Sequence, residues 1–77
     1  MSSVWLVTLA IPDSRLDNAV AAFDSEEKAI LWALDACDER WLGSKWHSRY
    51  KARAAFVFDG RYGDSWGEYT INEVEVL

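Results

Sequence analysis

The sequence predicts a single α+β domain spanning residues 1–77: a four-stranded antiparallel sheet with one helix packed on one face, in the order β-β-α-β-β. Three observations carry that prediction. Half of the 77 residues are apolar and 14% are aromatic, which excludes intrinsic disorder, and the length allows one hydrophobic core only. The stretch 24–42 repeats its apolar residues every three or four positions, whereas its neighbours are β-branched, aromatic or alternating. Turn-forming residues separate these stretches at Pro12, Gly43 and Asp59 to Gly67.

Residues 4–11, Val-Trp-Leu-Val-Thr-Leu-Ala-Ile, read as a strand that is apolar on both faces. Val4, Leu6 and Thr8 lie on one face, and Trp5, Val7 and Leu9 on the other. Pro12-Asp13-Ser14 ends the strand with turn chemistry, and residues 18–23 read as a shorter return strand, although alanine is a poor strand former. Asp24-Ser25-Glu26-Glu27 is a helix start, with Asp24 as the expected cap and Glu27 at the capping-box position. The helix is expected to run to about Leu42, stopped by Gly43, with Ile30, Ala33, Leu34, Cys37 and Trp41 as its core stripe. Residues 43–49 form a polar connector. Tyr50 to Phe58 alternates as a third strand, with Tyr50, Ala52, Ala54, Phe56 and Phe58 inward and Lys51, Arg53 and Ala55 outward. Asp59 to Gly67, with three glycines, is a long hairpin loop. Glu68 to Leu77 closes the sheet, with Tyr69 and Ile71 on one face and a register break near Asn72-Glu73.

The helix start Phe23-Asp24-Ser25-Glu26-Glu27-Lys28-Ala29 and the closing Tyr69-Thr70-Ile71-Asn72-Glu73-Val74-Glu75-Val76 resemble small phage- and prophage-encoded ββαββ proteins. The resemblance carries no catalytic residue. It implies a setting in which small acidic proteins bind host proteins, with anti-CRISPR and other counter-defence inhibitors among them.

Most chemistry is excluded by residue type. No apolar run approaches the roughly 20 residues a membrane span needs. The start of the chain has no basic, signal-like segment. A lone Cys37 excludes a disulfide framework, so a cytoplasmic protein is expected. One Cys and one His cannot build a zinc centre, and Asp59, Asp64 and Glu68 lack the spacing of a calcium loop. No metal and no cofactor are expected. Gly63-Asp64-Ser65-Trp66-Gly67 matches the G-x-S-x-G pattern of hydrolases, but that serine needs a strand-to-helix turn and a histidine base. The only histidine, His47, falls in the connector. The motif reads as a glycine-rich hairpin, and the protein as a non-enzyme.

Charge placement says more. Residues 1–39 carry a net −6, residues 40–58 a net +5 with no acid, and residues 59–77 a net −4. The leading expectation is a protein-binding module, an inhibitor directed at a basic surface of a host nucleic-acid-handling or defence protein. Trp32 lies about 160° around the helix from the core stripe, among Lys28, Asp35 and Glu39, and acids at Asp35, Asp38 and Glu39 oppose the helix dipole. Those five residues are the candidate partner-binding face. The alternative is a nucleic-acid or anion-binding regulator using Lys45, Trp46, Arg49, Lys51 and Arg53, where cations alternate with rings. Because one helix covers only one sheet face, Trp5 and Val7, or the opposite set on that strand, are expected to be covered by a homodimer partner or another protein.

Overall fold

The computed structural model describes residues 2–12 and 18–76. The predicted turn residues Asp13 and Ser14 lie outside that set. β1 (Ser2–Ala10) and β2 (Asn18–Phe23) pair antiparallel, followed by α1 (Glu26–Arg40), α2 (Arg49–Phe58), β3 (Arg61–Asp64) and β4 (Gly67–Val76). The sheet is antiparallel throughout, in the order β2-β1-β4-β3. The four-stranded α+β sheet is as expected, but two helices cover it, and the chain order is β-β-α-α-β-β.

The second helix occupies the segment predicted as the third strand. Ser48 caps it, its Oγ accepting from the Lys51 amide at 3.1 Å, and alanines at 52, 54 and 55 favour the helical backbone. Ala52 and Phe56, four residues apart, are its buried positions. Tyr50 and Phe58, expected inward, point to solvent at 84% exposure each. Gly60 takes a left-handed φ of 75° and donates to Ala55 and Phe56 carbonyls, which stops the helix. The missing strand is supplied from the expected loop, where Arg61–Asp64 pairs with β4 and leaves only Ser65 and Trp66 as the turn.

α1 behaves as predicted along its stripe: Ile30, Ala33, Leu34, Cys37 and Trp41 are all buried, joined by Ala29. Its start differs by one residue. Ser25, not Asp24, caps the helix, accepting from the Lys28 amide, while Asp24 makes an exposed 2.9 Å ion pair with Lys28. The helix ends at Arg40, and Gly43 turns the chain with φ 83°.

Both helices lie on the face that carries Val7, Tyr62, Tyr69 and Ile71, which with Ala52, Phe56 and the α1 stripe make one core. Nine consecutive pairs join β1 to β4, from Ser2–Val76 to Ala10–Glu68, so the expected register break at Asn72-Glu73 does not occur. What changes there is the apolar side. Tyr69 and Ile71 face the helices, whereas further along the strand Val74 and Val76 stand on the opposite face and the helix-side positions are Glu73 and Glu75. Among the described residues no helix is long and apolar enough to cross a membrane.

Candidate functional site

The charged residues of α1 divide between two sides of the helix. On one side the connector folds back as a latch. The His47 side chain, only 7% exposed, sits between Asp38 Oδ1 at 2.8 Å and the Tyr62 hydroxyl at 2.9 Å. A carboxylate only accepts, so in the neutral imidazole Nε2 donates to Asp38 and Nδ1 accepts from Tyr62. Arg49 bridges Asp38 and Asp35, with a 3.0 Å bond to the latter. Burial alone would raise the Asp38 carboxyl, but the bonds from His47 and Arg49 outweigh it and hold it below the usual carboxylate range. Asp38 also raises the Arg49 guanidinium, with Asp35 next. These two acids tie the connector and α2 to α1, and that ion pairing is why they oppose the helix dipole. The aromatic rings follow the same latch, with Trp41 meeting Trp46 edge-on at 5.0 Å and Tyr62 and Tyr69 each at 5.9 Å.

On the other side of α1 lies an open groove of about 460 Å³, lined by Trp32, Ala36, Glu39, Arg40 and Tyr69. A smaller hollow of about 230 Å³ adjoins it, bounded by Trp32, Asp35, Ala36 and Glu39. Trp32 is half-buried rather than isolated on the polar face: its ring lies 6.2 Å from Phe23 and 6.5 Å edge-on from Tyr69. Arg40 forms the far wall and is held there, donating to the Trp66 carbonyl at 3.1 Å with its guanidinium 5.8 Å from the Trp41 ring. Among the described residues Glu39 has no ion-pair partner. Of the predicted face, Trp32 and Glu39 therefore share the groove, Asp35 bounds the adjoining hollow while bonded to Arg49, Asp38 belongs to the latch, and Lys28 pairs with Asp24 one turn away. Local pattern carries no signal for Arg40 or Tyr69 as groove residues, because their place there depends on how β4 lies against α1.

The basic segment is partly neutralised. Arg49 is held by two carboxylates, Trp46 packs on Trp41, and the Lys51 ammonium reaches the Trp46 carbonyl at 3.4 Å. Lys45 and Arg53 are exposed. Trp5 and Val7 lie on the helix-covered face, Trp5 half-buried and Val7 fully so; Val7 is core and cannot contribute to a free patch. The opposite set, Val4, Leu6 and Thr8, faces away from the helices.

The G-x-S-x-G glycines have steric reasons. A Cβ on Gly63 would collide with the Gly67 carbonyl, and one on Gly67 would meet the Arg40 guanidinium at 2.6 Å. Asp64 Oδ1 accepts from the Trp66 amide at 2.9 Å and shapes the two-residue turn. Among the described residues no three His, Cys, Asp or Glu side chains gather where they could hold a metal ion. No protein-family model, curated protein or solved structure matches the chain.

Proposed function

We propose that this chain is a non-enzymatic protein-binding module whose α1 groove receives a basic side chain from its partner. The observation that carries this reading is the groove's composition: the rings of Trp32 and Tyr69 beside a Glu39 carboxylate that no cation answers among the described residues. An aromatic ring and a carboxylate together recognise an arginine or lysine. Arg40, already bonded to Trp66 and lying near the Trp41 ring, does not compete for Glu39 in the pairs present. The net charge of −5 draws basic surfaces toward the chain, and nucleic-acid-handling proteins offer such surfaces. With the resemblance to phage-encoded proteins, an inhibitor of a host nucleic-acid-handling or defence protein is the fitting class. His47 supports the non-enzymatic reading, because its ring is buried with both nitrogens hydrogen-bonded.

A nucleic-acid reading draws on α2, where exposed Tyr50 and Phe58 stand near exposed Lys51 and Arg53. Titrating ¹⁵N-labelled protein with N-acetyl-argininamide, and separately with a single-stranded oligonucleotide, distinguishes the two. The expected result is a shift of the Trp32 indole resonance by the arginine compound, lost in Glu39→Lys. A silent Trp32, with the oligonucleotide shifting Lys51 and Arg53 amides, would replace this reading with the second.

A further inference from the structure

Strand β4 changes its apolar side part-way along, and that change defines a second surface. At its N-terminal half Tyr69 and Ile71 face the helices and are buried, while Glu68, Thr70 and Asn72 face away. At its C-terminal half the helix-side residues are Glu73 and Glu75, and the residues facing away are Val74 and Val76, 40% and 43% exposed. The pairing of Val74 with Val4, and of Leu6 with Ala22, extends this apolar area across β1 and β2. Among the described residues no element packs on that side of the sheet. Glu73 and Glu75 are themselves exposed, past the end of the helical cover, so at this end of β4 the apolar side chains are the ones facing away from the helices, onto a face that no described element packs against.

We propose that a second copy of this chain covers the open face, the two sheets packing face to face about a twofold axis. Charge favours a copy as the occupant. Among the described residues the charged side chains of the face are Glu68 and Arg61, both on the β3–β4 side and of opposite sign, so two copies meet there without like-charge repulsion although each chain carries a net −5. Another exposed apolar surface, Tyr50, Val57 and Phe58 on α2, fails this test. It is flanked by Lys51 and Arg53 with no acid anywhere in residues 40–58, so a twofold contact there would bring cations together. Area is sufficient. Strands of 9, 6, 4 and 10 residues, at about 3.4 Å per residue and about 4.8 Å between strands, span roughly 500 Å² per copy. A pair therefore covers about 1,000 Å² before side-chain corrugation is counted, the lower bound of a specific interface. The helical layers then lie outward, and both α1 grooves stay open. The pairing does not depend on the function proposed for those grooves.

Sedimentation of the full chain over a wide concentration range tests this. The expected species is twice the 8.8 kDa chain mass. Val74→Lys should raise the dimer dissociation constant by more than about 100-fold, since each dimer would bury two unpaired ammonium groups. Far-UV circular dichroism checks that the fold is kept, and Val76→Lys, at the strand end, provides the same readout if Val74→Lys unfolds. A Tyr50→Ser/Phe58→Ser variant should still dimerise. A native chain that stays monomeric at millimolar concentration overturns the proposal. So does a dimer that survives both valine substitutions but dissociates in the α2 variant.

Discussion

Gly63→Ala and Gly67→Ala should destabilise the protein unequally, and the difference follows from what each new methyl would meet. On Gly63 it would collide with the Gly67 carbonyl and lie 2.5 Å from Glu68 Cα, both backbone atoms of the paired strand. Neither can swing aside, so β3 must separate from β4, with a cost toward the upper end of the ~1–3 kcal/mol typical of overpacking. At this chain length each kcal/mol lowers the midpoint by about 4–8 °C, so a drop of roughly 10–20 °C is expected. On Gly67 the methyl meets the Arg40 guanidinium, with Nη2 at 2.6 Å and Cζ at 3.0 Å. That group is the end of a flexible side chain and can withdraw, losing mainly its bond to the Trp66 carbonyl, worth about 0.5–1.5 kcal/mol. The stiffer unfolded chain returns about 0.4–1 kcal/mol to both variants and drops out of the comparison. Arg40→Ala removes both the clash and the bond, so Gly67→Ala should cost almost nothing in that background. Thermal denaturation followed by circular dichroism closes the cycle. Equal midpoints for the two glycine variants, or a Gly67→Ala cost unaffected by Arg40→Ala, would refute the steric account of this motif.

The cap, the latch and the buried thiol give further tests. Ser25→Ala should cost about 1 kcal/mol and lower the midpoint by about 4–8 °C, while Asp24→Ala leaves it nearly unchanged; the reverse ranking would put the cap at Asp24. His47→Ala removes two side-chain bonds, one to a carboxylate, for about 2–4 kcal/mol, and a midpoint shift under about 4 °C would mean the ring does not hold the connector. The folded Asp38 carboxyl titrates below its unfolded value of about 4, so its contribution is complete above that pH and is lost as pH falls through the lower folded value. Midpoints measured on acidification should therefore fall more steeply for the native chain than for Asp38→Asn, and parallel curves would contradict the latch. Burial, with Asp38 nearby adding to it, pushes the Cys37 thiol up to about 12, so it should resist thiol reagents at mildly alkaline pH until the protein unfolds. Rapid labelling of the native state would refute that burial.

What could be read from the sequence was what local pattern determines. The α1 stripe was legible because five residues at helical spacing admit one periodicity. The Tyr50–Phe58 segment was not, because its alternate positions 52 and 56 are also four apart and satisfy a helix equally well. Two local signals decide between the readings: three alanines, which favour helix over strand, and Ser48 placed three residues before an amide it can cap. With 50–58 helical, the fourth strand had to come from the glycine-rich loop, where glycine at 63 and 67 permits a closely approached hairpin. In the candidate site, Trp32, Asp35 and Glu39 stood out because they break helix rules, but the reasons differ. Asp35 and Asp38 face the dipole unfavourably because Arg49 and His47, at the far end of the connector, fold back to reach them, a tertiary cause that spacing cannot show. Glu39 breaks the same rule with no such cation among the described residues, and it stands in the groove beside Trp32.

The break near Asn72-Glu73 has a parallel explanation. Alternation continues through it unchanged, since nine pairs run in register, and only the side that is apolar switches. A strand pattern reports which face is covered, position by position. It reports the helices as far as Ile71; beyond that residue both sides of the strand are exposed and the apolar one faces away from the helices, which is the pattern the proposed second copy accounts for. The two features the fold leaves unexplained, a Glu39 with no ion-pair partner among the described residues beside aromatic walls and valines facing away from the core, are therefore where the proposed partner and the proposed second copy are to be tested.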